Sequence, residues 1–199
     1  GGDAKNLKCK ITLDASVPLG VGGVVVGNAA GGSDPLFLVI DDLASVADNG
    51  KNHGIEQAQE LTSPVAVDGV SDGVVFDYYK VSLKAGQRIS VETLAGRISS
   101  TFDPIMRLLT PAGGEIAAAD DDPALGADCR LSHVAQADCV IIVEVGDSKF
   151  AGGARYRLRV GDFPLVSTVY PLGGRVGSTT TFGFAGPAVE GVEPVLLTV

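Results

Sequence analysis

A chain of 199 residues, 45% of them hydrophobic, is long enough for one or two domains with packed cores. Its formal net charge of -9 repels phosphate backbones and its few Lys and Arg form no run, which argues against nucleic-acid binding. No apolar stretch approaches the length of a membrane span.

Glycine is abundant at 27 residues and no helical period is sustained over three turns, so short strands joined by tight turns are expected. The chain opens with Gly1-Gly2, the look of a trimmed piece of a longer protein, so a missing signal peptide carries no weight. Its first forty residues hold three strand-like runs, CKITLD, GGVVVGNAA and LFLVID, separated by the turn sequences VPLG and GGSDP. From Asp42 to Gly73 the sequence becomes polar and irregular and reads as a linker wrapped onto the next domain. Within it, Ile55 to Leu61 is the best helical candidate, at most two turns long.

From Asp77 to Val160 apolar and polar residues alternate, and turn residues interrupt the alternation every eight to twelve positions. That rhythm describes an all-β sandwich, because neighbouring strand residues face opposite sides of a sheet and one side is buried. The AGQ and AGG triplets are hairpin or turn signals, and Asp103-Pro104 starts a strand where a missing ladder donor does least harm. Phe163-Pro164 marks a boundary, after which LVSTVY, STTTFGF and VEPVLLTV are strand candidates. Three strands on either side of the central run are too few for a separate sandwich. Either the two flanks pair with each other or each belongs to a neighbouring domain.

The central run resembles the bacterial pre-peptidase C-terminal domain, a β-sandwich module of secreted proteases and large surface proteins. The pieces that carry the resemblance are Asp77-Tyr78-Tyr79, the Lys84-Ala85-Gly86-Gln87 turn, Phe102-Asp103-Pro104 and the Pro111–Gly114 turn, followed by the acidic loop Asp120-Asp121-Asp122 and Tyr156-Arg157-Leu158. Both flanks resemble halves of immunoglobulin-like repeats, in an alternation similar to that of large exported proteins of planctomycete-type bacteria. The implied fold is an all-β, jelly-roll-like antiparallel sandwich with immunoglobulin-like strands added from both flanks. The implied division is a partial domain over 1–42, a packed linker over 43–72, the sandwich over 73–162 and a second partial domain over 163–199.

Candidate chemistry concentrates in carboxylates. Asp120, Asp121 and Asp122 are consecutive and Asp128 follows a glycine-containing turn, an oxygen-rich loop of the kind calcium takes. The ordinary alternative is a solvated acidic turn. In some relatives a segment just before the module supplies calcium ligands, and the matching Asp48–Gly54 keeps Asp48 and Asn52 at ligand positions. It has glycine for one carboxylate and adds Lys51, and Asp72 and Asp77 complete a site only if this segment folds back.

Catalytic signals are weak. The two histidines are His133, in a strand candidate, and His53, expected to be solvated in the linker; neither sits in a nucleophile–base motif. Cys129 reads as the exposed cysteine, and Arg130 beside it would lower its pKa, but no catalytic base accompanies it and a silent thiol is expected. If Asp128–Ala135 and Asp138–Val145 form a hairpin around Gln136-Ala137, Cys129 and Cys139 stand about 15 Å apart, beyond disulfide reach. The tyrosine pair Tyr78-Tyr79 must divide between core and solvent.

The expected function is therefore a non-catalytic accessory or spacer module of a secreted, periplasmic or cell-surface protein. Its expected partners are other domains of the parent chain and, weakly, an extracellular protein or polysaccharide. A calcium-dependent binding module for a glycan or fibrous protein is the alternative, with Ca2+ the only cofactor considered. A hydrolase comes third.

Overall fold

A computed structural model describes residues 8–199. The chain divides into two compact units, the first ending at Asp42 and the second running from Leu43 to Val199. The expected partial domain 1–42 begins in residues 1–7, which lie outside the described residues.

In the first unit β1 (Gly20–Val24) pairs antiparallel with β4 (Leu36–Ile40), and β2 (Gly27–Asn28) pairs with β3 (Gly31–Gly32). The expected strand CKITLD carries no strand hydrogen bonding over residues 8–14.

The second unit is built on two five-stranded sheets. Its strands in chain order begin with β5 (Ser45–Ala47), β6 (Gln59–Leu61), β7 (Val65–Asp72), β8 (Asp77–Leu83) and β9 (Arg88–Leu94). They continue with β10 (Pro104–Leu109), β11 (Glu115–Ala119), β12 (Arg130–Val134), β13 (Cys139–Asp147) and β14 (Gly152–Gly161). One sheet has the order β11-β10-β13-β8-β6 and the other β12-β9-β14-β7-β5. The core lies between them. Tyr79, Val81 and Leu83 of β8 and Ile141, Val143 and Val145 of β13 meet Val65 and Val67 of β7 and Tyr156, Leu158 and Val160 of β14. Each set follows the two-residue period that the sequence displays, and that period is why these segments form half-buried strands.

The expected all-β sandwich is the observed fold. Three details differ from expectation. The segment 43–72 is not an irregular linker: it supplies β5, β6 and β7, and β7 lies inside its sheet between β14 and β5. Its other two strands add parallel pairs, β5 on β7 and β6 on β8, to an otherwise antiparallel sandwich. The helical candidate 55–61 becomes a single 3-10 turn, Ile55–Gln57, before the chain extends at Ala58 and Gln59 pairs with Tyr79. Strand pairing there satisfies backbone groups that a two-turn helix would leave open.

Residues 128–145 do not form a hairpin. β12 pairs with β9 in one sheet and β13 pairs with β10 and β8 in the other. Successive strands from β5 to β14 cross between the layers, with β10–β11 the one hairpin, so the AGG turn is a hairpin and the AGQ turn is not. Alternating burial reports which face of a strand is inward, and it is blind to which layer the strand joins.

The three C-terminal strands, β15 (Thr168–Tyr170), β16 (Thr179–Ala185) and β17 (Val195–Thr198), form a separate antiparallel sheet within the same unit. Polar contacts dock this end onto the sandwich. Arg130 donates to the Val166 carbonyl and the Ser167 hydroxyl, Ser90 donates to the Phe163 carbonyl, and Arg88 pairs with Asp162 and Glu190. Arg159 stacks over the Phe163 ring at 4.4 Å. No helix among the described residues is long and apolar enough to cross a membrane.

Candidate functional site

The acidic loop joins β11 to β12, and its aspartates separate into two pairs. Asp122 accepts from Arg130 Nε at 2.6 Å and from the Ala124 amide at 2.8 Å. Burial alone would raise its pKa, but these bonds outweigh burial and hold it below the usual range. Asp128 is fully buried. Its carboxylate accepts from the amides of Ala95 and Gly96 at 2.7 and 2.9 Å and from Arg97 Nε at 2.7 Å. It therefore ties the loop to the 3-10 turn Gly96–Ile98 that follows β9.

Asp120 and Asp121 remain exposed and come together with Asp103, which precedes β10, so that one oxygen from each lies within 4.8 Å of the others. Lys149 stands 3.1 Å from Asp103 and already supplies one positive charge there.

Cys129 leads into β12 and is fully buried, contrary to the exposed position expected beside Arg130. Burial pushes its thiol up to about 12, with the carboxylates of Asp128, Asp120 and Asp121 adding to the rise and Thr93 opposing it. Arg130 does not activate the thiol because its guanidinium is engaged by Asp122, Val166 and Ser167. Cys139 opens β13 in the opposite sheet and is half-buried. His133 sits in β12 opposite Ile89.

A second cluster forms where the segment before β6 folds back on the turn between β7 and β8. The Tyr78 amide donates to the Asn52 carbonyl at 2.8 Å, and the Asn52 carboxamide donates to the Tyr78 carbonyl at 3.2 Å. This two-way clamp delivers His53, expected to be solvated, between two carboxylates. Its Nε2 is 3.4 Å from Asp72 Oδ2 and its Nδ1 is 3.5 Å from Asp77 Oδ1. Asp72 ends β7 and Asp77 begins β8, so the β7–β8 connection fixes the carboxylate pair.

Behind this cluster runs a buried chain of oxygens. Tyr156 donates to Asp77 Oδ2 at 2.5 Å, the Tyr156 and Tyr79 hydroxyls meet at 2.6 Å, and Tyr79 donates to Asp48 Oδ1 at 3.1 Å. Burial pushes Asp77 up to about 6, opposed by the Tyr156 hydrogen bond and His53 and aided by the charges of Asp48 and Asp72. Asp77 Oδ1 and Asn52 Oδ1 are both buried without a hydrogen-bond partner.

This donor set serves calcium poorly. Asp48 has one oxygen engaged by Tyr79 and the other by the Gly50 amide, and an imidazole stands between the two remaining carboxylates. Calcium takes six to eight oxygens and gains nothing from the imidazole. The sequence named all of these residues except His53 as ligand candidates, and it gave no signal that a histidine within an irregular segment would come to lie between Asp72 and Asp77.

Beside His53 a cleft of about 320 Å³ is lined by Val74, Phe76, Tyr78, Arg107 and Phe150. Phe76 lies flat over Gly146, where any Cβ would overlap its ring, and stacks in parallel with Phe150.

Comparison with known proteins finds similar structures and a family model. A structure of the pre-peptidase C-terminal domain of a collagenase from Bacillus anthracis is 13% identical over 52% of this chain and 93% of its own, with a TM-score of 0.40. A second similar structure is PliG of Aeromonas hydrophila, a periplasmic lysozyme inhibitor of g-type lysozyme, 14% identical over 59% of this chain and 98% of its own, with a TM-score of 0.41. No curated protein matches the chain. The family model that matches is the bacterial pre-peptidase C-terminal domain, over residues 75–134, the stretch that carries β8 to β12.

Proposed function

We propose that this chain is a non-catalytic accessory module of an exported bacterial protein, one that spaces or holds neighbouring domains and binds protein or polysaccharide weakly through its surface. The family match over residues 75–134 carries this reading, since that module accompanies secreted proteins. The side-chain chemistry supports it. Buried Arg130 and the buried loop aspartate serve as internal ties, Arg130 to Asp122 and Asp128 to Arg97, and burial favours the protonated thiol of Cys129. In this reading the strands on either side adjoin immunoglobulin-like repeats of the parent protein.

The test is to assay the purified chain against ester, peptide and glycan substrates and to screen it on protein and polysaccharide arrays. No turnover together with weak or no retention is expected. Turnover that scales with purified chain would overturn the reading.

Asp103, Asp120 and Asp121 favour a second reading, a calcium-dependent binding module, because three carboxylate oxygens converge at an exposed loop. Calcium would then raise the melting temperature and switch on retention by a glycan or fibrous protein. Asp121→Asn would remove both effects.

A further inference from the structure

The spacer reading leaves the cluster of His53, Asp72 and Asp77 without a role. Asp77 is only 3% exposed, and its carboxylate is fixed by Tyr156 so that the unpartnered Oδ1 faces the imidazole. The imidazole does not satisfy that oxygen. Separations of 3.4 and 3.5 Å exceed the roughly 2.7–2.9 Å of a charge-assisted hydrogen bond. The two distances run to different nitrogens of one ring, of which an ion takes one, so Asp72 has to close on that nitrogen to reach the ligand spacing of about 3.3–3.4 Å in a tetrahedral shell. One donor atom from each of the three residues lies within 4.8 Å of the other two.

We propose that His53, Asp72 and Asp77 form a binding site for a first-row transition dication of the Zn2+ class. One imidazole with two carboxylates is a mixed nitrogen and oxygen set, which suits such ions and sets this site apart from the oxygen-only shell of calcium. Asp77 is the rigid ligand. Asp72, with half of its side chain exposed, is the one able to close on the ion. The hydrogen bond from Tyr156, continued through Tyr79 to Asp48, orients Asp77 from behind, as outer groups do for metal-binding carboxylates. His53 also borders the open cleft with Val74 and Phe150, so the ion has a path from solvent. Once bound it would pin the segment carrying His53 to the β7–β8 connection.

Zn2+ and, separately, Ca2+ are titrated into the full chain carrying Cys9→Ser, which removes an exposed competing thiol. Heat is followed by calorimetry and the two histidine rings by NMR. One equivalent of Zn2+ is expected to bind, to shift the ring signals of His53 but not those of His133, and to raise the melting temperature. Ca2+ at the same concentration should do none of these. His53→Gln and Asp72→Asn change side chains that are 29% and 50% exposed, so the fold is retained, and each should weaken Zn2+ binding about tenfold or more. Three results would overturn the proposal: no Zn2+ binding, an equal response to Ca2+, or Zn2+ held at His133.

Discussion

The ring of Tyr156 lies over Gly69, its register partner across the β7–β14 ladder, so closely that a Cβ at residue 69 would overlap the phenol. The missing side chain makes room for a tyrosine whose hydroxyl then reaches both Asp77 and Tyr79. Gly69→Ala should therefore displace the ring from a close-packed core and lower stability by about 2 kcal/mol or more. Urea denaturation, with near-ultraviolet dichroism to follow the tyrosines, measures it.

Tyr156→Phe keeps the ring and removes the oxygen. Asp77 loses the one donor on Oδ2 and Tyr79 loses its 2.6 Å neighbour. A buried acceptor left unpaired costs about 1–3 kcal/mol, and the equilibrium unfolding midpoint should fall accordingly while the slope stays unchanged.

The oxygen chain also sets a pH dependence. Each phenol has one hydrogen, and if both point outward to Asp48 and Asp77 the central contact has none. A proton on Asp77 restores the count. Asp77 titrates near 6 in the folded chain against an ordinary 3.8. A raised pKa means that its contribution is fully present below the unfolded value and is lost as pH rises through about 6. The loss is at most about 3 kcal/mol. Asp122 and Asp138 act in the opposite sense, because their lowered pKa values give stability that is lost as pH falls through the folded values. Unfolding measured from pH 4 to pH 7 in a chelating buffer should show the decline, and Asp77→Asn should flatten it.

Two aspartates of the same loop should respond very differently to one substitution. Asp128→Asn takes the charge from a buried carboxylate bound by three backbone amides and the Arg97 guanidinium, at a cost of about 3 kcal/mol. Asp121→Asn changes an exposed side chain and should stay within about 0.5 kcal/mol in metal-free buffer. Parallel thermal melts compare them.

The three thiols should separate by reactivity. Cys9 is exposed and should react quickly with a disulfide reagent, whereas Cys129, buried with its thiol pushed up to about 12, should react only after unfolding. Half-buried Cys139 should fall between them.

Strand existence was legible from the sequence wherever apolar and polar residues alternate along the chain. The runs containing Tyr79, Val81 and Leu83, or Val143 and Val145, became β8 and β13 because a two-residue period has one low-energy reading. The segment 43–72 was misread because β5 and β6 are three residues each and β7 carries Asp68, Gly69, Ser71 and Asp72 among its apolar residues. Strands this short, or with polar residues and glycine among the apolar ones, leave little periodic trace.

The candidate site was legible only as a list of carboxylates. Asp120, Asp121, Asp122 and Asp128 are near neighbours in sequence, yet two became structural anchors and two joined Asp103 at the surface. Which did which depended on Arg97 and Arg130, held on elements that the loop meets only after folding.

By itself, the sequence determined that the chain alternates apolar and polar residues, turns at glycines and must bury one face of each strand. Those are local properties, fixed by the geometry of an extended backbone. Only the tertiary structure decided that consecutive strands cross between layers, that the Asn52–His53 segment folds onto the β7–β8 connection, and that His53 lies between Asp72 and Asp77. The charge and hydrogen bonding of each carboxylate depend on neighbours far away in the chain, and no local pattern records which neighbours those will be.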